Sequence, residues 1–152
     1  MKNKLTLKKL KEWQGQEIGV SPWLEVGQSR INAFADCTED HQWIHVDHEK
    51  AKKSPLRSTV AHGFLLLSLI PHFLSTSRLY DYEARMIINY GLNRVRFITP
   101  VKSGVRIRSR AVLKDIKKQK RRQILTSVEC TLEIENRRKP AAVAEILALI
   151  YL

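Results

Sequence analysis

The stretch VAHGFLLLSLIPHFL, residues 60–74, limits the fold more than any other part of the chain. Val60, Phe64, Leu67, Ile70 and Leu74 are spaced for one face of a helix, and Leu65, Leu66 and Leu69 make the remainder greasy. A helix over Thr59–Ser77 that is apolar nearly all round has to be buried nearly all round. It is no membrane span, because its longest unbroken apolar run, Gly63 to Pro71, falls far short of the ~18 residues a bilayer requires. Pro71 predicts a kink or an end to the regular helix. The rest of the chain therefore has to supply a wrap.

The second half has the periodicity for one. Residues 84–98 read as a long strand, bent near Gly91 and Asn93, and Pro100 and Gly104 bracket a turn. Val105, Ile107, Ala111 and Leu113 alternate with Arg106, Arg108, Arg110 and Lys114, and Ile124 to Ile134 alternates in the same way. That is period-two patterning with one wet face. KKQKRR (117–122) marks a charged hairpin turn, and residues 141–151 are apolar on both faces, as in a central strand. Ahead of the greasy segment, a short helix is expected over 4–13, a strand over 21–26, a helix from Gln28 to near Cys37, and a polar segment over 39–57. The sum is an α+β chain. At 152 residues, residues 1–152 read as a single domain, with 1–19 as a basic N-terminal extension.

Cys37 and Cys130 stand too far apart to suggest a disulfide framework, which points to a reduced, cytoplasmic setting, and no signal peptide is visible. The net charge of +12 favours anionic partners: nucleic acid, a membrane surface or a phosphorylated cofactor. Nucleic acid ranks last among these, since no base-stacking aromatics are interleaved with KKQKRR.

DCTEDHQWIHVDH (36–48) puts three His and four acidic residues just ahead of the greasy segment. Asp40 and His45, five residues apart at a helix end and a loop start, can both reach one water molecule. Imidazole titrates nearest neutral pH, and a carboxylate in a half-apolar pocket is tuned upward. Gly63, in Ala61-His62-Gly63, sits at the mouth of the buried helix, where an N–H without an intrahelical acceptor can hold an oxyanion. Water holder, acid or base, and oxyanion donor are the three parts that hydration of a conjugated carbonyl needs. His62 is placed to orient that loop or bind substrate, and His72 reads as a surface or core-edge residue. His41, His45 and His48 invite a metal, but the stretch crosses from helix to loop and offers no thiolate beyond Cys37, so none is expected. Asp47 and Glu49 suit the start of a short helix near His48. Trp43 reads as a packing residue and Cys37 as a small apolar one. The Arg106/Arg108/Arg110 stripe is a solvated strand face, with CoA phosphates as its functional alternative.

Three segments, FADCTEDHQWIHVDHEKA (34–51), TVAHGFLLLSLIP (59–71) and VRFITPVKSG (95–104), resemble the MaoC-like, R-specific enoyl-CoA hydratases and within them the NodN-like branch. With the strands around them the likeness covers most of residues 20–152. It implies a hot-dog fold, with the antiparallel sheet curved around one central hydrophobic helix. It implies a catalytic pair Asp40 and His45, a thioester oxygen bound by the amide of Gly63, and reversible hydration of a trans-2-enoyl thioester to the (R)-3-hydroxyacyl form. It further implies CoA or acyl-carrier protein as carrier, no metal or redox cofactor, and a homodimer or larger homo-oligomer. The chain departs from the family's usual pattern at Glu39, where Gly is common, at Gln42-Trp43 in place of Asn-Pro, at Leu56-Arg57-Ser58 and at Gly104-Val105. The altered flanks leave a non-hydrating acyl-CoA binder or a thioesterase as the rival reading, and a basic nucleic-acid-binding module as the more distant one.

Overall fold

A six-stranded antiparallel sheet supplies the wrap. The computed structural model describes residues 3–119 and 122–152, so Lys120 and Arg121 at the tip of the charged turn lie outside the described residues. In chain order the strands are β1 (Asn3–Lys4), β2 (Glu17–Val20), β3 (Leu24–Val26), β4 (Tyr82–Glu83), β5 (Met86–Phe97), β6 (Val105–Lys118), β7 (Gln123–Ile134) and β8 (Ala142–Tyr151). The helices are α1 (Leu7–Trp13), α2 (Gln28–Thr38), α3 (Trp43–Val46), α4 (His48–Lys53), α5 (Gly63–Ser68) and α6 (Ile70–Leu74). Sheet order is β2-β6-β7-β8-β5, and β6 is long enough to pair with β3 as well; β1 and β4 form a separate parallel pair.

The alternating patterns account for the layering. On β7, Ile124, Thr126, Val128, Cys130, Leu132 and Ile134 all face inward and are buried. They lie opposite Ile107, Ala111 and Leu113 of β6 and Ala142, Ala144, Ile146 and Ile150 of β8. Each fully buried Leu or Ile contributes about 1.5–3 kcal/mol of transfer free energy. The outward face carries ion pairs: Arg106 with Glu135, Arg108 with Glu133 (2.6 Å), and Arg110 with Glu133 (3.0 Å) and Glu17 (2.5 Å). The bend expected near Gly91 and Asn93 is present as two irregularities in the β5–β8 ladder, between Asn89 and Gly91 and between Leu92 and Arg94. A bulge adds an unpaired residue and curls the strand over its core.

The single helix expected over 59–77 is instead two short ones. Residues 59–62 run extended, with Val60 bridged to Lys102 and the Ala61 N–H bonded to the Val101 carbonyl at 2.8 Å. Helix then runs from Gly63, breaks at Leu69, and resumes with Pro71 in the first turn of α6. Proline is tolerated there because first-turn N–H groups have no intrahelical partner. Nor is the segment covered all round. Leu65, Leu66, Ile70 and Phe73 are buried, whereas Phe64 is 67% exposed and Pro71 and His72 face outward.

The N-terminal residues are built into the core, since Leu10, Trp13 and Ile18 are buried with it. The expected helix over 4–13 begins at Leu7, capped by the Thr6 hydroxyl accepting from the Lys9 N–H, because Lys4 is taken up by β1. The strand expected over 21–26 shortens to Leu24–Val26. β2 carries too little apolar alternation to be read as a strand; its Gly19 lets the backbone pass Ser77 so closely that a Cβ would lie 3.0 Å from the Ser77 Cα.

α2 buries Ile31 and Ala35, one turn apart, and ends at Glu39 in the left-handed region, φ 59° and ψ 18°. That conformation suits glycine and strains any residue with a Cβ. Replacing Glu39 with Gly is expected to stabilise the fold by about 1 kcal/mol, the scale of the left-handed penalty. The melting midpoint should then rise by about 2–4 °C in a chain of this size, read by circular dichroism.

Candidate active site

The chain reverses direction at Glu39, leaving Asp40 on the short loop between α2 and α3 with its carboxylate 54% exposed. Its Oδ1 accepts from the Gln42 N–H at 3.4 Å. His45 sits in α3 and is 7% exposed. Its Nδ1–H donates to the Val60 carbonyl at 2.7 Å, so the lone pair of the neutral ring lies on Nε2. Donor atoms of Asp40, His45 and His62 all fall within 4.8 Å of one another. One water at about 2.8 Å from each of two groups bridges up to about 5.6 Å, so the spacing suits a shared solvent molecule.

His45 is also held from behind. The Gln28 side-chain amide donates to the His45 carbonyl at 2.8 Å, while the buried Thr59 hydroxyl donates to the Gln28 Oε1 at 2.6 Å. Gln28 thus ties the start of α2 to α3 and to the strand-like segment before α5. Neither Gln28 nor Thr59 was singled out by the sequence, since a lone Gln and a lone Thr have no motif to mark them. Burial is the main force on the His45 ring and pushes its pKa below the usual 6.5; the Val60 bond opposes this, His62 adds to it and Asp40 opposes it.

His62 lies beside His45, the two rings stacked with centroids 3.7 Å apart at 24°. Its Nε2–H donates to the Asp40 main-chain carbonyl at 2.9 Å. Its Nδ1 is buried with no hydrogen-bond partner among the described residues, an arrangement that costs about 1–3 kcal/mol. Gly63, the first residue of α5, has an N–H with no intrahelical acceptor. A Cβ there would meet three carbons of the Phe97 ring at 3.1 Å, so glycine is what lets Phe97 close over this end of the helix.

Two of these groups, His45 and Gly63, meet at a cavity of about 340 Å³, with Asp40 outside the residues that line it. His45 and Gly63 are on its wall, among apolar residues that include Ile44, Leu66, Phe97 and Ala141; His62 is not on the wall but behind it. Depressions of about 470 and 460 Å³ lie elsewhere, one on the charged outer face of the sheet at Trp23 and Arg108, the other beside Pro71 and Tyr90. The smaller cavity is the candidate site, because an imidazole and the first amide of a helix share its apolar walls.

Other candidate residues fall outside it. His41 pairs with Asp36 at 2.9 Å on the surface and His48 opens α4, so His41, His45 and His48 do not converge. Asp40, His45 and His62 are close enough to share a cation, but stacked rings aim their lone pairs along near-parallel planes. Zinc requires nitrogen lone pairs converging on one point at about 2.0–2.1 Å, and the trio fits it poorly. Asp47 caps α4 by accepting from the Lys50 N–H at 2.9 Å, and Trp43 carries the Lys50 ammonium 5.0 Å over its ring. Cys37 is exposed on α2 and Cys130 is buried, its thiol pushed up to about 12 chiefly by burial. The arginine stripe is engaged by Glu17, Glu133 and Glu135, which leaves it little charge for phosphates.

The depressed His45 pKa makes stability depend on pH. Below 6.5 the unfolded chain takes up a proton that the folded chain resists, so stability falls with pH until the folded value is passed. His41, raised by Asp36, acts above 6.5, and Glu133 and Glu145, held below 4.5, act at more acid pH. Urea unfolding is therefore expected to show a loss of stability just below pH 6.5 that His45→Gln removes.

A profile of the MaoC like domain matches residues 9–136. Nodulation protein N of Rhizobium leguminosarum bv. viciae is 45% identical over 137 residues, covering 90% of this chain and 85% of that protein. The 3-hydroxyacyl-thioester dehydratase Z of Mycobacterium tuberculosis (strain ATCC 25618 / H37Rv) is 42% identical over 132 residues, 86% of each chain. Among solved structures, a monoamine oxidase regulatory protein from Archaeoglobus fulgius superposes with a TM-score of 0.85 at 24% identity, over 98% of this chain and 95% of that one. The last likeness is one of shape, a hot-dog fold. The first three rest on sequence across most of the chain, and by them the protein belongs to the MaoC-like dehydratase family, as an enzyme of the hydratase/dehydratase class.

Proposed function

We propose that the enzyme adds water reversibly across the double bond of trans-2-enoyl thioesters, giving (R)-3-hydroxyacyl thioesters. The observation that carries this reading is an apolar cavity walled by His45 and the first amide of α5, at Gly63, with a carboxylate oxygen of Asp40 within 4.8 Å of a ring nitrogen of His45. Water held between the Asp40 carboxylate and His45 Nε2 attacks Cβ, and Nε2 takes the proton it loses. The electron pair of the double bond moves to the thioester oxygen, where the Gly63 N–H stabilises the enolate. Collapse of the enolate draws the proton from Nε2 onto Cα. The product thus gains one hydroxyl and one hydrogen, and the imidazole returns to its neutral form. Depression of the His45 pKa keeps that ring unprotonated near neutral pH and ready to accept. The chemistry draws on side chains and an amide alone, with no metal or redox group in any step.

Replacing Asp40 with Asn or His45 with Ala is expected to slow crotonyl-CoA hydration about 100-fold or more, the low end for loss of a general acid–base group. Steady-state rates on short, medium and long enoyl thioesters check it. Wild-type protein that hydrates none of them, or that releases free thiol from acyl-CoA instead, ends the hydratase reading.

The partner of this chain is a second copy. Among the described residues β5 is the end strand of the sheet, and Met86, Ile88, Tyr90, Leu92 and Phe97 along it are exposed, with Phe97 against Phe64 of α5. A long apolar edge strand left in water pairs with another chain. Pairing there covers the bare side of the central helices. Sedimentation should report a dimer, and Leu92→Glu should shift it to monomer; a wild-type monomer at micromolar concentration contradicts the assignment.

A further inference from the structure

His62 has no reason of packing to be a histidine. The residue is 2% exposed, wedged between the His45 face and the Phe34 ring, whose centroid lies 5.0 Å away. An apolar side chain of similar shape would fill this space without leaving Nδ1 buried and unpaired among the described residues. What an apolar side chain cannot do is donate to the Asp40 carbonyl while presenting a flat face to His45. Asp40 has need of such a tie. Its loop leaves α2 through a strained residue, its carboxylate stands 54% exposed, and the one amide reaching that carboxylate does so at 3.4 Å.

We infer that His62 is the positioning residue of this centre: its Nε2–H fixes the Asp40 main chain and its ring fixes the plane of His45, so that carboxylate and Nε2 stay one water apart. His62 does not line the cavity, and its Nε2 lies 4.0 Å from Asp40 Oδ2. It acts through its two neighbours, and its kinetic consequence rests on the hydratase reading. The placement itself is independent of any activity. Glutamine is the informative replacement, because its Nε2 stands at the same reach along the side chain and donates in the same direction.

The test compares His62→Leu and His62→Gln by crotonyl-CoA hydration, thermal melting and crystal structure. His62→Leu is expected to lower kcat about 10- to 100-fold, the scale for a catalytic group displaced by about 1 Å, with KM changed less than about twofold. Its melting midpoint should hold or rise, since it also removes the unpaired Nδ1. His62→Gln should recover most of kcat. In crystals, the Asp40 carboxylate of His62→Leu should move beyond the roughly 5.6 Å of His45 Nε2 that one water spans, and in His62→Gln it should stay within it.

A His62→Leu variant with wild-type kcat and an unmoved Asp40 overturns the inference while leaving the hydratase reading intact. A lower melting midpoint with kcat per folded molecule unchanged overturns it too, by making His62 merely structural. If the wild type hydrates no enoyl thioester, the hydratase reading fails and the two crystal structures still decide the placement. Should His62→Leu not fold, an Asp40 displaced in His62→Gln would refute the inference and an Asp40 in place would uphold it.

Discussion

Burial of the segment between Val60 and Leu74 against the concave face of the sheet is the constraint on which the rest depends. Leu65, Leu66, Ile70 and Phe73 join Ile107, Val128, Leu132 and Ala144 of the sheet in one core cluster. Helix does not begin earlier than Gly63, because the main chain before it is tied elsewhere: the Thr59 carbonyl accepts from the Ser103 N–H, the Val60 N–H donates to the Ile44 carbonyl and the Ala61 N–H donates to the Val101 carbonyl. The start of the helix is thereby fixed at the wall of a cavity, with a first-turn amide that has no intrahelical acceptor. Core and site are consequences of one packing event.

The polar groups around that event are held by the elements they serve. Val60 gives its carbonyl to His45, Thr59 gives its hydroxyl to Gln28, and Gln28 holds the main chain of His45. A buried imidazole bonded through Nδ1 is costly to misplace, since a lost bond leaves an unsatisfied carbonyl as well as an unsatisfied ring. The same burial that depresses its pKa keeps its other nitrogen ready to accept a proton. Strain at Glu39 and the unpaired Nδ1 of His62 lie within this small region, as strained and unsatisfied groups tend to lie at sites of function.

Outside the site the chain has neutralised much of one face. The outer arginines of β6 are taken up by Glu17, Glu133 and Glu135, so the net charge of +12 resides on other cations, such as Lys52, Lys53, Arg137 and Arg138. The apolar edge of β5 contrasts with this wet face. It is the side of the exposed Phe64, and it is the surface assigned to the second copy in the proposed dimer.

Period-two alternation in β6 and β7 and the greasy run before Pro71 were enough to predict an α+β chain, because each pattern has few ways to hide its apolar face; the curved sheet around a helix came from the family resemblance. The spacing of Asp40 and His45 and the glycine after His62 offered a water site with an oxyanion donor, because those residue types carry their chemistry locally, but it was the resemblance of the surrounding motifs that raised it above a structural reading. Tertiary structure alone decided that the helix would be two, that β2 would pair at an edge of the sheet, and that Gln28, Thr59 and Phe97 would complete the surroundings of His45 and Gly63. It also decided that His62 would stack on His45 away from the cavity. Those outcomes depend on contacts between residues 15 to more than 90 positions apart, such as Val60 with His45 and Glu17 with Val112. Local periodicity carries no record of such distances, and only packing brings them into being.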